Sequence, residues 1–210
     1  MFPELKNIVF DLGGVLIDLH RDRCVEAFRR LGFPQIEDLL NPYYPKGVFS
    51  ELEGGAITVE QACRRIGEMA GREIPCDEIR QAYKAFLGEI APYKLRAIDA
   101  LREAGLRTYV LSNNNAMVFP HIENTLFAAD GKRMADYFDA IYLSFRMHLL
   151  KPSPEIFRAM IADSGMKPEE TLFLDDGERN VATAHQLGFH VYMPRPGEDF
   201  SPLLREIALR

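Results

Sequence analysis

Asp11, Ser112, Lys151 and the pair Asp175-Asp176 are the residues of this 210-residue chain whose types and settings could do chemistry together. Three of the four segments close an apolar run: Ile8-Val9-Phe10-Asp11, Val110-Leu111-Ser112 and Phe173-Leu174-Asp175-Asp176. The fourth, Lys151-Pro152, lies in a loop between a strand pattern and a helix pattern. A carboxylate can attack phosphorus and form an aspartyl-phosphate, dividing one difficult displacement into two easier ones. Two anions approach only when charge is neutralised, and Mg²⁺ commonly uses one or two carboxylates plus the substrate phosphate. Asp11 with Asp176, and Asp175 beside it, could supply that site. Lys151, the Ser112 hydroxyl and the Asn113 backbone N–H could hold the non-bridging phosphate oxygens as charge redistributes. Taken singly, each piece has a plainer reading: a turn at Asp11, a turn or cap at Ser112-Asn113, a helix cap at Asp175-Asp176, a solvated loop lysine at 151. Their shared order and strand-end placement join them.

The elements that would position them are legible in the pattern. Lys6–Asp11 reads as a buried strand followed by a Gly13-Gly14 turn, and Leu106–Leu111, Ala140–Leu143, Thr171–Leu174 and Phe189–Tyr192 have the same short apolar form. Between them Leu95, Ile98 and Leu101 recur at helical spacing, as do Ile156, Phe157, Met160 and Ile161. Ser153-Pro154-Glu155 suits the start of the latter helix. Alternating strands and helices predict an α/β fold, a Rossmann-like parallel sheet with helices on both faces. In such a sheet the ligand crevice lies at the carboxyl ends of the strands, where all the segments above would meet.

Residues 20–90 break the rhythm. They carry helical patterns, Cys24/Ala27/Phe28/Leu31, Val59/Ala62/Cys63/Ile66 and Ile79/Ala82/Tyr83/Phe86, with no convincing strand between them, and Thr58-Val59-Glu60-Gln61 reads as a capping box. The expectation is a small helical cap, 20–90, inserted after the first strand of a core formed by 1–19 and 91–210.

This constellation resembles the haloacid dehalogenase-like (HAD) hydrolase superfamily over essentially the whole chain. The resemblance rests on Ile8-Val9-Phe10-Asp11 as the nucleophile strand, Ser112 at the second motif, Lys151-Pro152 at the third and Asp175-Asp176 at the fourth. It is similar to the branch with bacterial sugar-1-phosphate phosphatases and the phosphatase half of soluble epoxide hydrolases. The resemblance implies a Mg²⁺-dependent phosphatase acting on a small phosphorylated metabolite, a sugar phosphate among the candidates, through an aspartyl-phosphate on Asp11. It also implies that the Gly13 carbonyl joins Asp11 and the acidic pair as a metal ligand, with either Asp175 or Asp176 direct. One departure stands out: the family's phosphatases usually carry an acid–base Asp two residues after the nucleophile, and here that position is Gly13. Asp18 and His20, in the following loop, are candidates to replace it. Arg21 is a candidate substrate contact, and Asn180 a candidate to orient the acidic loop. His121, His148, His185 and His190 show no ligand spacing and are taken as structural or surface residues.

Gly13 also keeps other readings open: a metal-independent 2-haloacid dehalogenase, a mutase, or a lapsed site that binds a phospho-ligand or partner protein. A response-regulator receiver is disfavoured, because its acidic pair comes near the start of the chain. The net charge of -6 and the lack of a basic stripe argue against a nucleic-acid partner. No stretch approaches the roughly 18 continuous apolar residues of a membrane span. Nothing resembles a signal peptide, and Cys24, Cys63 and Cys76, an odd and scattered set, suggest reduced thiols and a cytoplasmic setting. The oligomeric state is left open.

Overall fold

A computed structural model describes residues 4–40, 46–128 and 131–209. From the amino end, β1 (Asn7–Phe10) and β2 (Ile17–Leu19) precede the helices α1 (Arg21–Arg30), α2 (Ile36–Leu39), α3 (Val48–Glu53), α4 (Val59–Ala70) and α5 (Cys76–Lys84). Then come β3 (Leu87–Ile90), α6 (Pro92–Glu103), β4 (Arg107–Ser112), α7 (Phe119–His121) and α8 (Met134–Tyr137). The remainder is β5 (Ala140–Leu143), α9 (Ser144–Met147), α10 (Pro154–Ser164), β6 (Thr171–Leu174), α11 (Glu178–Gln186), β7 (His190–Tyr192) and α12 (Ser201–Ala208).

The main sheet has the order β5-β4-β1-β6-β7, and its pairs are parallel. The middles of its strands are apolar because both faces are covered, and the period of two sorts their side chains. Ile8, Phe10, Val110, Leu172 and Leu174 pack on one face with Ile98 of α6 and Leu204 of α12. Val9, Tyr109, Leu111 and Phe173 pack on the other with Phe157 of α10 and Ala184 of α11. The register sets Phe10 beside both Val110 and Leu174. Asp11 and Asp175, each one residue further on, therefore leave the sheet at the same level. The chain then returns to the far side of β1 for β6, so β1 sits at the reversal of strand order, where an open sheet leaves its crevice.

Helices α1 to α5 share a core of their own, including Phe28, Phe49, Ile66 and Tyr83, to which Met117 and Val118 from the segment after β4 contribute. Phe28 meets Phe33, Phe49 and Tyr83 edge-on, with ring centroids 6.0, 6.0 and 6.4 Å away. Truncating such a buried ring typically costs about 3–5 kcal/mol. The capping box at α4 is present: Thr58 Oγ1 accepts from Gln61 N at 3.2 Å and Thr58 N donates to Gln61 Oε1 at 2.8 Å.

Two expectations are corrected. Residues 20–90 do contain a strand: β3 pairs antiparallel with β2, Ile17 opposite Ile90 and Leu19 opposite Leu87. Gly88 and Glu89 break its apolar run, and it is too short for an alternating pattern to register. The cysteines are not all thiols either. Cys63 and Cys76 form a disulfide, because the turn from α4 into α5 brings their Cα atoms to 5.3 Å. The cysteine argument for a reducing compartment therefore lapses. Cys24 is free and buried, and burial pushes its thiol up to about 12. No helix among the described residues is long and apolar enough to cross a membrane.

Candidate active site

Asp11 leaves the end of β1 with its backbone N–H donating to the Leu174 carbonyl at 2.9 Å, which continues the β1–β6 ladder by one residue. Its Oδ1 accepts from the Leu12 N–H at 2.7 Å and faces Lys151 Nζ at 3.1 Å. Lys151 is buried, and its ammonium also donates to Asp175 Oδ2 at 2.5 Å and to the Leu111 carbonyl at 2.9 Å. Burial works against that charge, but Asp11 and Asp175 outweigh it and hold the Lys151 pKa above its ordinary value. Asn113 fixes the lysine's backbone: its amide oxygen accepts from Lys151 N and its amide nitrogen donates to the Lys151 carbonyl, both at 2.9 Å.

The acidic pair divides into two settings. Asp175 is fully buried, and its second oxygen accepts from Gly177 N at 2.8 Å and Asn180 Nδ2 at 2.9 Å. Asn180 thus orients the acidic loop, as its position suggested. Asp176 instead lies over Gly14, whose φ of +74° favours glycine and where a Cβ would come 1.9 Å from Asp176 Oδ2. That second glycine therefore serves both the turn and the close approach of the carboxylate.

Asp11, Asp175 and Asp176 can each present an oxygen so that all three lie within 4.8 Å of one another. Burial pushes Asp11 up to about 7, Lys151 opposes the rise and Asp175 and Asp176 add to it. Three carboxylates thus confront one ammonium in a space that penalises charge. A hard divalent cation with oxygen ligands relieves that excess, so the donor set fits Mg²⁺.

The cavity in front of Asp11 is lined by Lys151, Asp176, Asn180, Asn113 and Gly13, and from the helical insertion by Glu53 and Tyr83. Asn115 also lines it and donates from Nδ2 to the Tyr83 hydroxyl at 3.3 Å, while its Oδ1 accepts from Met117 N and Val118 N. Ser112 ends β4 and is buried, with its hydroxyl 3.3 Å from the Asn113 carbonyl. A larger cleft of about 810 Å³, beside Lys6, Arg107 and Lys167, opens at the opposite, amino ends of the strands.

Other candidates fall elsewhere. Asp18 pairs with Lys94 at 3.1 Å, and neither it nor His20, which precedes α1, lines the cavity. Arg21 donates to the Leu40 and Glu37 carbonyls at 2.9 and 2.6 Å, which ties α1 to α2 and accounts for its guanidinium. His148 closes α9 in the left-handed conformation, and His190 Nε2 lies 3.0 Å from the Glu169 carbonyl. Sequence reasoning missed Glu53, Tyr83 and Asn115. The first two sit on helices remote in sequence from Asp11, and only the run Asn113-Asn114-Asn115 hinted at a polar loop.

A haloacid dehalogenase-like hydrolase family model matches residues 5–188. The chain is 40% identical over 196 residues, 93% of its length and 95% of the other protein's, to a D-ribitol-5-phosphate phosphatase of Bacteroides thetaiotaomicron. It is 25% identical to bifunctional epoxide hydrolase 2 of Rattus norvegicus, over 97% of this chain and 38% of that protein. A haloacid-dehalogenase-family enzyme from Bacteroides thetaiotaomicron, solved with magnesium and inorganic phosphate, superposes with a TM-score of 0.89 at 40% identity, covering 95% of this chain and 98% of that one. With its parallel sheet, its strand-end carboxylates and these matches, the chain belongs to the haloacid dehalogenase-like hydrolase family.

Proposed function

We propose that the protein is a Mg²⁺-dependent phosphatase of a small phosphorylated metabolite, with a phosphorylated alditol or sugar as the substrate class. The observation that carries this reading is the Asp11–Asp175–Asp176 cluster held against a single buried ammonium. The 40% identity to a D-ribitol-5-phosphate phosphatase supports the substrate class. In this reading Asp11 attacks phosphorus, the alcohol departs, and water later cleaves the aspartyl-phosphate. Asp11, Asp176 and the Gly13 carbonyl would hold the ion, which would supply positive charge to neutralise the phosphate. Asp175, whose oxygens already engage Lys151, Gly177 and Asn180, positions the lysine and the loop. Lys151 and the Ser112–Asn113 strand end hold the phosphate oxygens.

Residues 20–90 act as a cap over the core formed by 1–19 and 91–210, and the short β2–β3 pair joins the two. The cytoplasm is the proposed place of work. The 2-haloacid dehalogenase alternative needs no ion and leaves the three-carboxylate cluster without a purpose. The test is a hydrolysis screen over phosphorylated alditols, sugars, nucleotides and acids, with Mg²⁺ and with a chelator. Chelator-sensitive release of phosphate from alditol or sugar phosphates is the expected result. Chloride release from 2-chloropropionate without Mg²⁺, and no phosphate release, would overturn the reading.

A further inference from the structure

Glu53 is an acidic residue in a cavity that already holds an excess of negative charge, and the chemistry at Asp11 gives it no task. It closes α3, and the carboxyl end of a helix is a poor place for a carboxylate. Its backbone is nevertheless fixed firmly to the elements that carry the site. Ser144 Oγ donates to the Glu53 carbonyl at 2.7 Å and accepts from Asn114 N, beyond β4, at 3.0 Å. The chain then passes hard against α9, where a Cβ on Gly55 (φ +67°) would come 2.3 Å from the Phe145 carbonyl oxygen. These contacts set the Glu53 side chain into the cavity with Asp11 and Lys151, close enough for both to act on its ionisation, and beside Tyr83 and Asn115.

A group in that position meets the part of a phosphate ester that lies beyond phosphorus. We propose that Glu53 selects the alcohol half of the substrate: its carboxyl hydrogen-bonds the hydroxyls of a neutral polyhydroxylated alcohol and disfavours an alcohol that carries a carboxylate. The proposal rests on the phosphatase reading above. Hydrogen bonds involving charged groups are the stronger ones, and like charges in a partly desolvated cavity repel over several ångströms. The two effects act on different substrates, which makes them separable.

The test compares three phosphate esters in the presence of Mg²⁺ at about pH 9, above the value of about 8 to which burial raises Glu53, so that its carboxylate is charged: ribitol 5-phosphate, 1-pentyl phosphate and phosphoglycolate. The first two share a primary alkyl leaving group and differ in hydroxyls, and the third carries a carboxylate. In Glu53→Gln the ratio of kcat/KM for ribitol 5-phosphate to that for pentyl phosphate should fall roughly 10- to 100-fold, mainly through KM. The ratio for phosphoglycolate to pentyl phosphate should rise. In Glu53→Asp, which keeps the charge on a shorter stem, phosphoglycolate should stay disfavoured while the preference for ribitol 5-phosphate weakens. Equal losses on all three esters would overturn the proposal, since Glu53 would then serve the reacting atoms or the fold. Unchanged ratios in both variants would overturn it too. Wild-type protein that releases no phosphate from any ester with Mg²⁺ would refute the phosphatase reading and this proposal with it.

Discussion

At the scale of single residues, the two members of the acidic pair have different work. Asp175 is buried in a closed set of hydrogen bonds, while Asp176 lies over Gly14 at the cavity wall. Asp175→Asn breaks a buried ion pair and leaves Lys151 short of a partner, so it should destabilise the fold by about 3–5 kcal/mol, measured by denaturant unfolding. Asp176→Asn should leave stability within about 1 kcal/mol but raise the Mg²⁺ concentration for half-maximal activity at least roughly tenfold. The reverse pattern would exchange their roles. Gly14→Ala should resemble Asp176→Asn in its Mg²⁺ requirement, because the added carbon occupies the carboxylate's place. The family motifs made these positions legible in the sequence, since each ends an apolar run. The division of labour within Asp175-Asp176 was not legible, because it depends on Lys151, Gly177 and Asn180, which only the fold brings to one oxygen pair. Gly13 is the informative departure: a Cβ there would lie 3.2 Å from Leu19 Cδ1, the end of a side chain that can yield. Gly13→Asp therefore requires the Leu19 side chain to give way.

Elements explain why some features were readable and others hidden. The strands of the main sheet announce themselves through short apolar runs that both faces bury. The β2–β3 pair does not, because Gly88 and Glu89 interrupt it and its partner has three residues. Local signals hold where the chain satisfies itself locally, as in the Thr58–Gln61 capping box. Thr58→Ala should cost about 1 kcal/mol of stability, read by thermal or denaturant unfolding, with kcat unchanged. Long-range positioning escapes such patterns. Glu53 and Ser144 are 91 residues apart, and nothing in either segment foretells that one hydroxyl fixes the other's carbonyl. The Cys63–Cys76 pair illustrates the same limit, since a separation of 13 matches no common cysteine motif.

For the whole molecule, the site is a concentration of negative charge that the fold holds together against its own repulsion. Burial moves Asp11 from 3.8 to about 7 and Glu53 from 4.5 to about 8. Between those values the folded protein keeps protons that the unfolded chain has released. It therefore binds more protons than the unfolded state, and stability without metal should fall as pH rises from about 4 to about 8. Mg²⁺ should flatten that decline by binding the ionised folded form. Unfolding midpoints across this range, with chelator and with Mg²⁺, check both statements, and a metal-free midpoint that rises with pH would refute them.

A nucleophilic Asp11 becomes covalently phosphorylated during turnover. The most direct measurement mixes the enzyme, Mg²⁺ and a phosphorylated alditol, quenches in acid within the first turnovers, and weighs the peptides. The expected result is the added mass of one phosphoryl group on the peptide containing Asp11, chasing away as phosphate appears, and no adduct or turnover in Asp11→Asn. Steady phosphate release with no adduct at Asp11, undiminished in Asp11→Asn, would contradict it.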